Sequence, residues 1–113
     1  MNTVSLIGRL TKEVFCNYTE GEKPTAYARF TLAVDGIKDE DTSFISCVAF
    51  GKTAEILNDS TKKGARVGII GHIKTGSYTN KDGKKVYTTD VVADRVNIID
   101  YSSKQQEEDL PFH

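Results

Sequence analysis

The sequence predicts an all-β domain with one short helix, and three observations carry that prediction. Apolar and polar residues alternate with period two along five segments rich in β-branched and aromatic residues. One stretch breaks that rhythm, and it falls between the third and fourth segments. The pattern occupies about 100 of the 113 residues, which is one domain's worth of chain and too little for two cores.

TVSLIGRL (3–10) opens the chain with Val4, Leu6 and Leu10 on one face. AYARFTLAV (26–34) puts Ala28, Phe30, Leu32 and Val34 inward and Tyr27, Arg29 and Thr31 outward. A polar loop, DGIKDEDT (35–42), separates it from FISCVAF (44–50), which resumes the alternation. In TAEILNDSTKKG (53–64) the period changes: Thr53 is placed to cap a helix, and Ala54, Ile56 and Leu57 give it an apolar side. Lys62 and Lys63 make a basic last turn before Gly64 stops it. ARVGIIGHIKTGSYT (65–79) is a long strand with Val67, Ile69 and Ile73 inward and His72, Lys74 and Tyr78 outward. NKDGKK (80–85) reads as a turn around Asp82-Gly83, and VYTTDVVADRVNII (86–99) is the return strand.

Three strands, a helix and a two-stranded hairpin are the plan of the five-stranded OB-fold barrel, whose exposed strand face and loops commonly bind oligonucleotides. A β-sandwich would ask for about seven strands. The expected organisation is therefore an OB-fold domain over 1–100, a short polar linker over 101–106 and an acidic tip over 107–113.

Composition excludes several classes. Apolar residues make up 38% and charged residues 27%, and no run approaches the roughly 18 apolar residues of a membrane span. No basic region precedes an apolar run at the N-terminus, so no secretory signal is predicted and the cytoplasm is the expected compartment, with no membrane partner. Cys16 and Cys47 have neither metal-ligand nor disulfide-framework spacing and read as structural thiols. The net charge of −1 argues against binding nucleic acid by bulk charge, yet charge is segregated. Between Lys62 and Thr89 stand seven basic residues, Lys84 and Lys85 of the turn among them, against the single acid Asp82.

No catalytic constellation emerges. Gly51-Lys52-Thr53 lies between a strand and a helix, but Ser46 stands where a P-loop needs its first glycine. His72 and His113 have no ligand-spaced neighbours, so neither a metal site nor a cofactor is expected. The loop acids Asp35, Asp39, Glu40 and Asp41 keep open the alternative of a metal-dependent nuclease, although clustered loop acids are usually solvated. A second alternative is an OB-fold module that binds a protein and no DNA.

The aromatics favour a third reading. Phe44 and Phe50 are six apart on one strand and project from one face beside Ser46, while Tyr78 projects with Lys74 and His72 from the basic hairpin. A single aromatic in a strand is most often core; aromatics interleaved with lysines on a β-surface are what a base-stacking platform with phosphate contacts requires. The last residues have their own logic. Glu107, Glu108 and Asp109 precede Leu110, Pro111 and Phe112, a segment too short and polar to fold alone. It offers a partner one aromatic anchor, a conformationally restricted proline and charge for a basic rim.

FGKTAEIL, KKGARVGIIGHI and YTTDVVADRV, together with VSLIGRL and the acidic Pro-Phe tip, resemble the bacterial single-stranded DNA-binding protein family in its short form. The resemblance runs from about residue 2 to 100 and resumes at the tip. It implies a non-enzymatic OB-fold homotetramer, associated with the nucleoid, that wraps single-stranded DNA without reading its sequence. It also implies recruitment of replication, recombination and repair proteins through the tip. By position, Phe44 and Tyr78 stand where the family commonly has DNA-stacking tryptophans and Phe50 where it has a DNA-contacting phenylalanine. Lys52, Lys62, Lys63 and Lys74 match basic positions, and Tyr87 matches an aromatic of the return strand. The chain departs from the family in having no tryptophan, in Ile37 and Ser60 at positions often aromatic, and in Ser46, Gly76 and Ser77 at positions often basic. Weaker binding per subunit or a smaller site is the expected consequence.

Overall fold

The structure, a computed structural model, describes residues 1–36 and 41–100. Ile37, Asp39 and Glu40 of the loop, the linker over 101–106 and the tip over 107–113 lie outside the described residues. Seven elements follow in order: β1 (Val4–Leu10), β2 (Asn17–Tyr18), β3 (Ala26–Val34), β4 (Ser43–Phe50), α1 (Gly51–Ser60), β5 (Arg66–Thr79) and β6 (Lys85–Asp100).

β1 pairs with β5 along most of its length and with β3 at Arg9 and Leu10, so five strands close on themselves in the ring β1–β5–β6–β4–β3. Every pairing is antiparallel except β4 with β6. This is the expected five-stranded OB-fold arrangement, a closed sheet with the helix inserted before the final hairpin. The closure needs β1 and β3 to approach closely, and Gly8 permits it: a Cβ there would lie 2.5 Å from the Ala33 carbonyl oxygen.

The inward rows of the five strands meet as the alternation predicts. Leu10, Leu32, Cys47, Val67 and Ile69 are fully buried, and Leu57 of α1 joins them from the helix. Each such aliphatic side chain contributes about 1.5–3 kcal/mol by leaving water.

Three expectations need correction. A sixth strand, the two-residue β2, pairs with Tyr27 and Ala26 of β3; two residues are too few to show a period. The helix begins three residues earlier than the sequence suggests and ends at Ser60. Phe50 is the N-cap with no side-chain hydrogen bond, so Thr53 is not the cap; its hydroxyl donates instead to the Asp94 carbonyl at 3.3 Å. Lys62 and Lys63 therefore lie beyond the last turn, which the buried Thr61 closes by donating its hydroxyl to the Leu57 carbonyl. Finally, Ile73 has inward parity but is exposed. It stands two residues beyond Gly71, where the pairing of β5 with β1 ends.

Candidate nucleic-acid interface

β4 builds the centre of the site by simple alternation. Ile45, Cys47 and Ala49 point into the barrel, which leaves Phe44, Ser46, Val48 and Phe50 on the outer face. Phe44 is 69% and Phe50 49% exposed. Ala33 stands opposite Phe44, Thr31 opposite Ser46, Arg29 opposite Val48 and Tyr27 opposite Phe50, and directly paired residues share a face. On the other side of β4, Val48 is level with Val92 of β6. These two valines are buried although they face outward, and they floor a groove walled by Arg29, Phe50, Lys74, Thr88 and Asp90. Arg29 also borders an adjoining depression with Thr11, Lys12, Thr31 and Ser46, so the groove runs on across β3.

The hairpin extends this face beyond the barrel. Lys74 pairs with Asp90, Gly76 with Thr88 and Tyr78 with Val86, placing Lys74 and the 56%-exposed Tyr78 on the same outer row as His72. Asn80 shapes the turn: its side-chain oxygen accepts from the Asp82 and Lys84 amides, each at 3.0 Å. Tyr87 pairs with Ser77 and so faces away from Tyr78. It is 75% exposed, with the Lys85 ammonium 5.5 Å from its ring centroid.

Of the sequence-predicted residues, the fold thus brings Phe44, Phe50, Lys74 and Tyr78 onto one surface. Lys52 is exposed on the second residue of α1, and Lys84 sits in the hairpin turn. Lys62 and Lys63 belong to a different place, the turn tied to the end of β1 by hydrogen bonds between Leu10 and both Gly64 and Ala65. Tyr87 lies on the opposite face of the ribbon. Sequence reasoning missed Tyr27, Arg29 and Asp90. Arg29 was legible as outward-facing, but only strand pairing sets it beside Val48, and Asp90 gave no signal beyond an acid in an alternating strand.

Electrostatically the face is mixed. Asp90, its side chain 21% exposed, accepts a 2.8 Å hydrogen bond from the Ser46 hydroxyl and lies 3.8 Å from the Arg29 guanidinium. His72 Nδ1 is 2.8 Å from the Asp94 carboxylate at the upper edge. Burial, reinforced by Asp90, pushes the Cys47 thiol up to about 12, and burial with Glu55 and Asp59 raises that of Cys16; neither is a reactive thiolate at neutral pH. Asp35 and Asp41 are exposed, and among the described residues no three His, Cys, Asp or Glu side chains gather as an ion site. Gly51 starts α1 directly from β4, with no phosphate-cradling loop before it.

The model of the single-strand binding protein family matches residues 1–99. A single-stranded DNA-binding protein of Clostridium perfringens is 48% identical over 101 residues, which cover 88% of this chain and 67% of that protein. Single-stranded DNA-binding protein 1 of Streptococcus pyogenes serotype M18 is 45% identical over 107 residues, covering 88% and 79% of the two chains. Single-stranded DNA-binding protein 4 of Streptococcus agalactiae serotype V is 43% identical over 105 residues, covering 88% and 75%.

Proposed function

The chain belongs to the single-strand binding protein family, and we propose that it binds single-stranded DNA along the outer face of β3, β4 and the β5–β6 hairpin. Bases stack on Phe44, Phe50 and Tyr78 while Lys74 and the hairpin lysines neutralise phosphates, with no base-edge code and no catalysis. One observation carries this reading: three well-exposed aromatics share a surface with Lys74, beside an apolar floor formed by Val48 and Val92. A duplex presents phosphates to the lysines but keeps its bases stacked inside and gives the rings nothing to stack on, so the chemistry favours single strands. In fluorescence anisotropy, a labelled oligo-dT should bind and the same strand in a duplex should not. Equal affinity for both would overturn the reading.

The finer role we propose is protection of exposed strands during replication, recombination and repair in the cytoplasm at the nucleoid, with partner proteins docking on Glu107, Glu108, Asp109, Leu110, Pro111 and Phe112. Among the described residues, no helix is long and apolar enough to cross a membrane. We also propose a homotetramer. Its support is the outer face of β1, β5 and β6, where exposed Ile7, Ile70 and Ile99 border an apolar groove. Gly68 leaves the gap between Ile7 and Ile99 open, both side chains lying 3.7 Å from where its Cβ would be. Ile7→Lys should lower the mass measured by light scattering; an unchanged mass at equal concentration would remove this face from the assembly.

A further inference from the structure

An acid at the centre of a phosphate-binding face calls for a physical reason. Asp90 is directly opposite Lys74 in the β5–β6 register and borders the groove floored by Val48 and Val92. It is not a solvated surface charge free to swing aside. Four-fifths of its side chain is covered, and the 2.8 Å hydrogen bond from Ser46 fixes one carboxylate oxygen. The other oxygen faces Arg29, whose guanidinium is 3.8 Å away and whose side chain is 68% exposed, a loose contact that water screens. The anchored partner is the acid; the mobile one is the arginine.

We propose that Asp90 keeps the sugar-phosphate backbone off the floor of this groove and occupies Arg29, so that bound DNA turns its bases inward and its phosphates outward to the lysines. A phosphate entering the floor would meet a fixed negative charge at short range, where screening by salt is least effective. A base carries no charge and meets Val48, Val92 and the rings with no such penalty. Ser46 is the positioning residue that keeps the carboxylate at the floor. Lys74, exposed and directly opposite Asp90, is left as the phosphate contact at the rim.

This inference rests on the proposed reading of the face, and the test separates the two. The slope of log affinity against log salt is measured by anisotropy with labelled oligo-dT for the parent chain, Asp90→Asn, Asp90→Asn with Arg29→Gln, Lys74→Ala and Phe50→Ala. Asp90→Asn retains an oxygen acceptor for Ser46 and removes only the charge; Asp90→Ser replaces it should the asparagine variant not fold. With the charge gone, Arg29 is released onto a phosphate, so the slope should steepen by about 0.7, a roughly 2.6-fold greater loss of affinity between 50 and 200 mM salt. Adding Arg29→Gln should return it to the parent value. A slope unchanged or shallower in the Asp90 variants overturns the proposal, and one that stays steep without Arg29 overturns the part assigned to Arg29. If Lys74→Ala and Phe50→Ala also bind like the parent chain, it is the reading of the whole face that fails.

Discussion

Phe44 and Phe30 make the sharpest comparison the fold permits, because both are phenylalanines on neighbouring strands and they face opposite ways. Phe30 is 8% exposed within the core, and its replacement by alanine should cost about 3–5 kcal/mol of stability. Phe44 is 69% exposed, so folding covers less than a third of it, on the order of 60 Å² of a side chain whose full burial is about 200 Å². At about 25 cal/mol per Å² its packing is worth at most about 1.5 kcal/mol, and less once a compact unfolded state is allowed for. A stacked base contributes about 1–3 kcal/mol, which is a roughly 5- to 150-fold change in affinity. Phe44→Ala should therefore melt within several degrees of the parent while losing that much affinity for oligo-dT. The assay pairs thermal denaturation with anisotropy at fixed salt and protein concentration. If Phe44→Ala binds as the parent does while melting much lower, the ring is structural and the stacking platform loses its most exposed member.

Other expectations follow from single contacts. Gly71→Ala should disrupt the hairpin, since a Cβ would fall 1.8 Å from the Val92 carbonyl oxygen; an unaltered circular dichroism melt would contradict the pairing of Gly71 with Ala93. At pH 8 a thiol reagent should label Cys16 well before Cys47, which is fully buried; equal rates would show the barrel opening readily. Because the Cys47 thiol titrates at about 12 when folded against an ordinary 9.0, the folded state holds the extra proton between those values. Its contribution is complete below pH 9.0 and is lost as pH rises towards 12, so the alkaline fall in stability should be shallower in Cys47→Ala. A chain ending at Gln106 should bind single-stranded DNA at least as well as the whole protein at low salt while losing capture of replication and repair proteins. Retained capture would refute the proposed docking tip.

Much of the barrel was legible because its strands are long and one face of each is buried, the condition under which period two is written most clearly. AYARFTLAV gave both its inward row and the outward Arg29. The helix boundaries were not legible: cap residues are chosen by side-chain hydrogen bonds, and here Thr53 spends its hydroxyl on Asp94, a residue 41 positions away. Ile73 misled for a related reason, since parity says which way a side chain points but not where the sheet that would cover it ends. Within the site, Phe44 and Phe50 could be joined because they lie on one strand. Alternation placed Tyr78 beside Lys74 but assigned Tyr87 no face, and only the pairing of Ser77 with Tyr87 shows that the two tyrosines face apart.

The same pairing explains how one barrel can present two unlike surfaces. Along the outer row of β5, Gly68 and Ile70 are followed by His72, Lys74 and Tyr78, so the row changes from aliphatic to polar and aromatic within two residues. The register of β5 against β6 shifts there, between Ile70 and Gly71, leaving Asp94 as the extra residue on β6. That residue is tied down on both sides, its carboxylate to His72 and its carbonyl to Thr53 of α1. Above the bulge β6 still pairs with β4, at Val91–Ala93, before the hairpin runs on past it, and Gly71 is pressed against Val92; below the bulge, Ile7, Ile70 and Ile99 lie on the barrel wall. Aliphatic side chains on a wall are suited to another protein surface, whereas rings and lysines on a projecting ribbon suit a flexible, charged polymer. The bulge is therefore the physical boundary between the face proposed for assembly and the face proposed for DNA, and substitutions on either side of it should be separable in their effects.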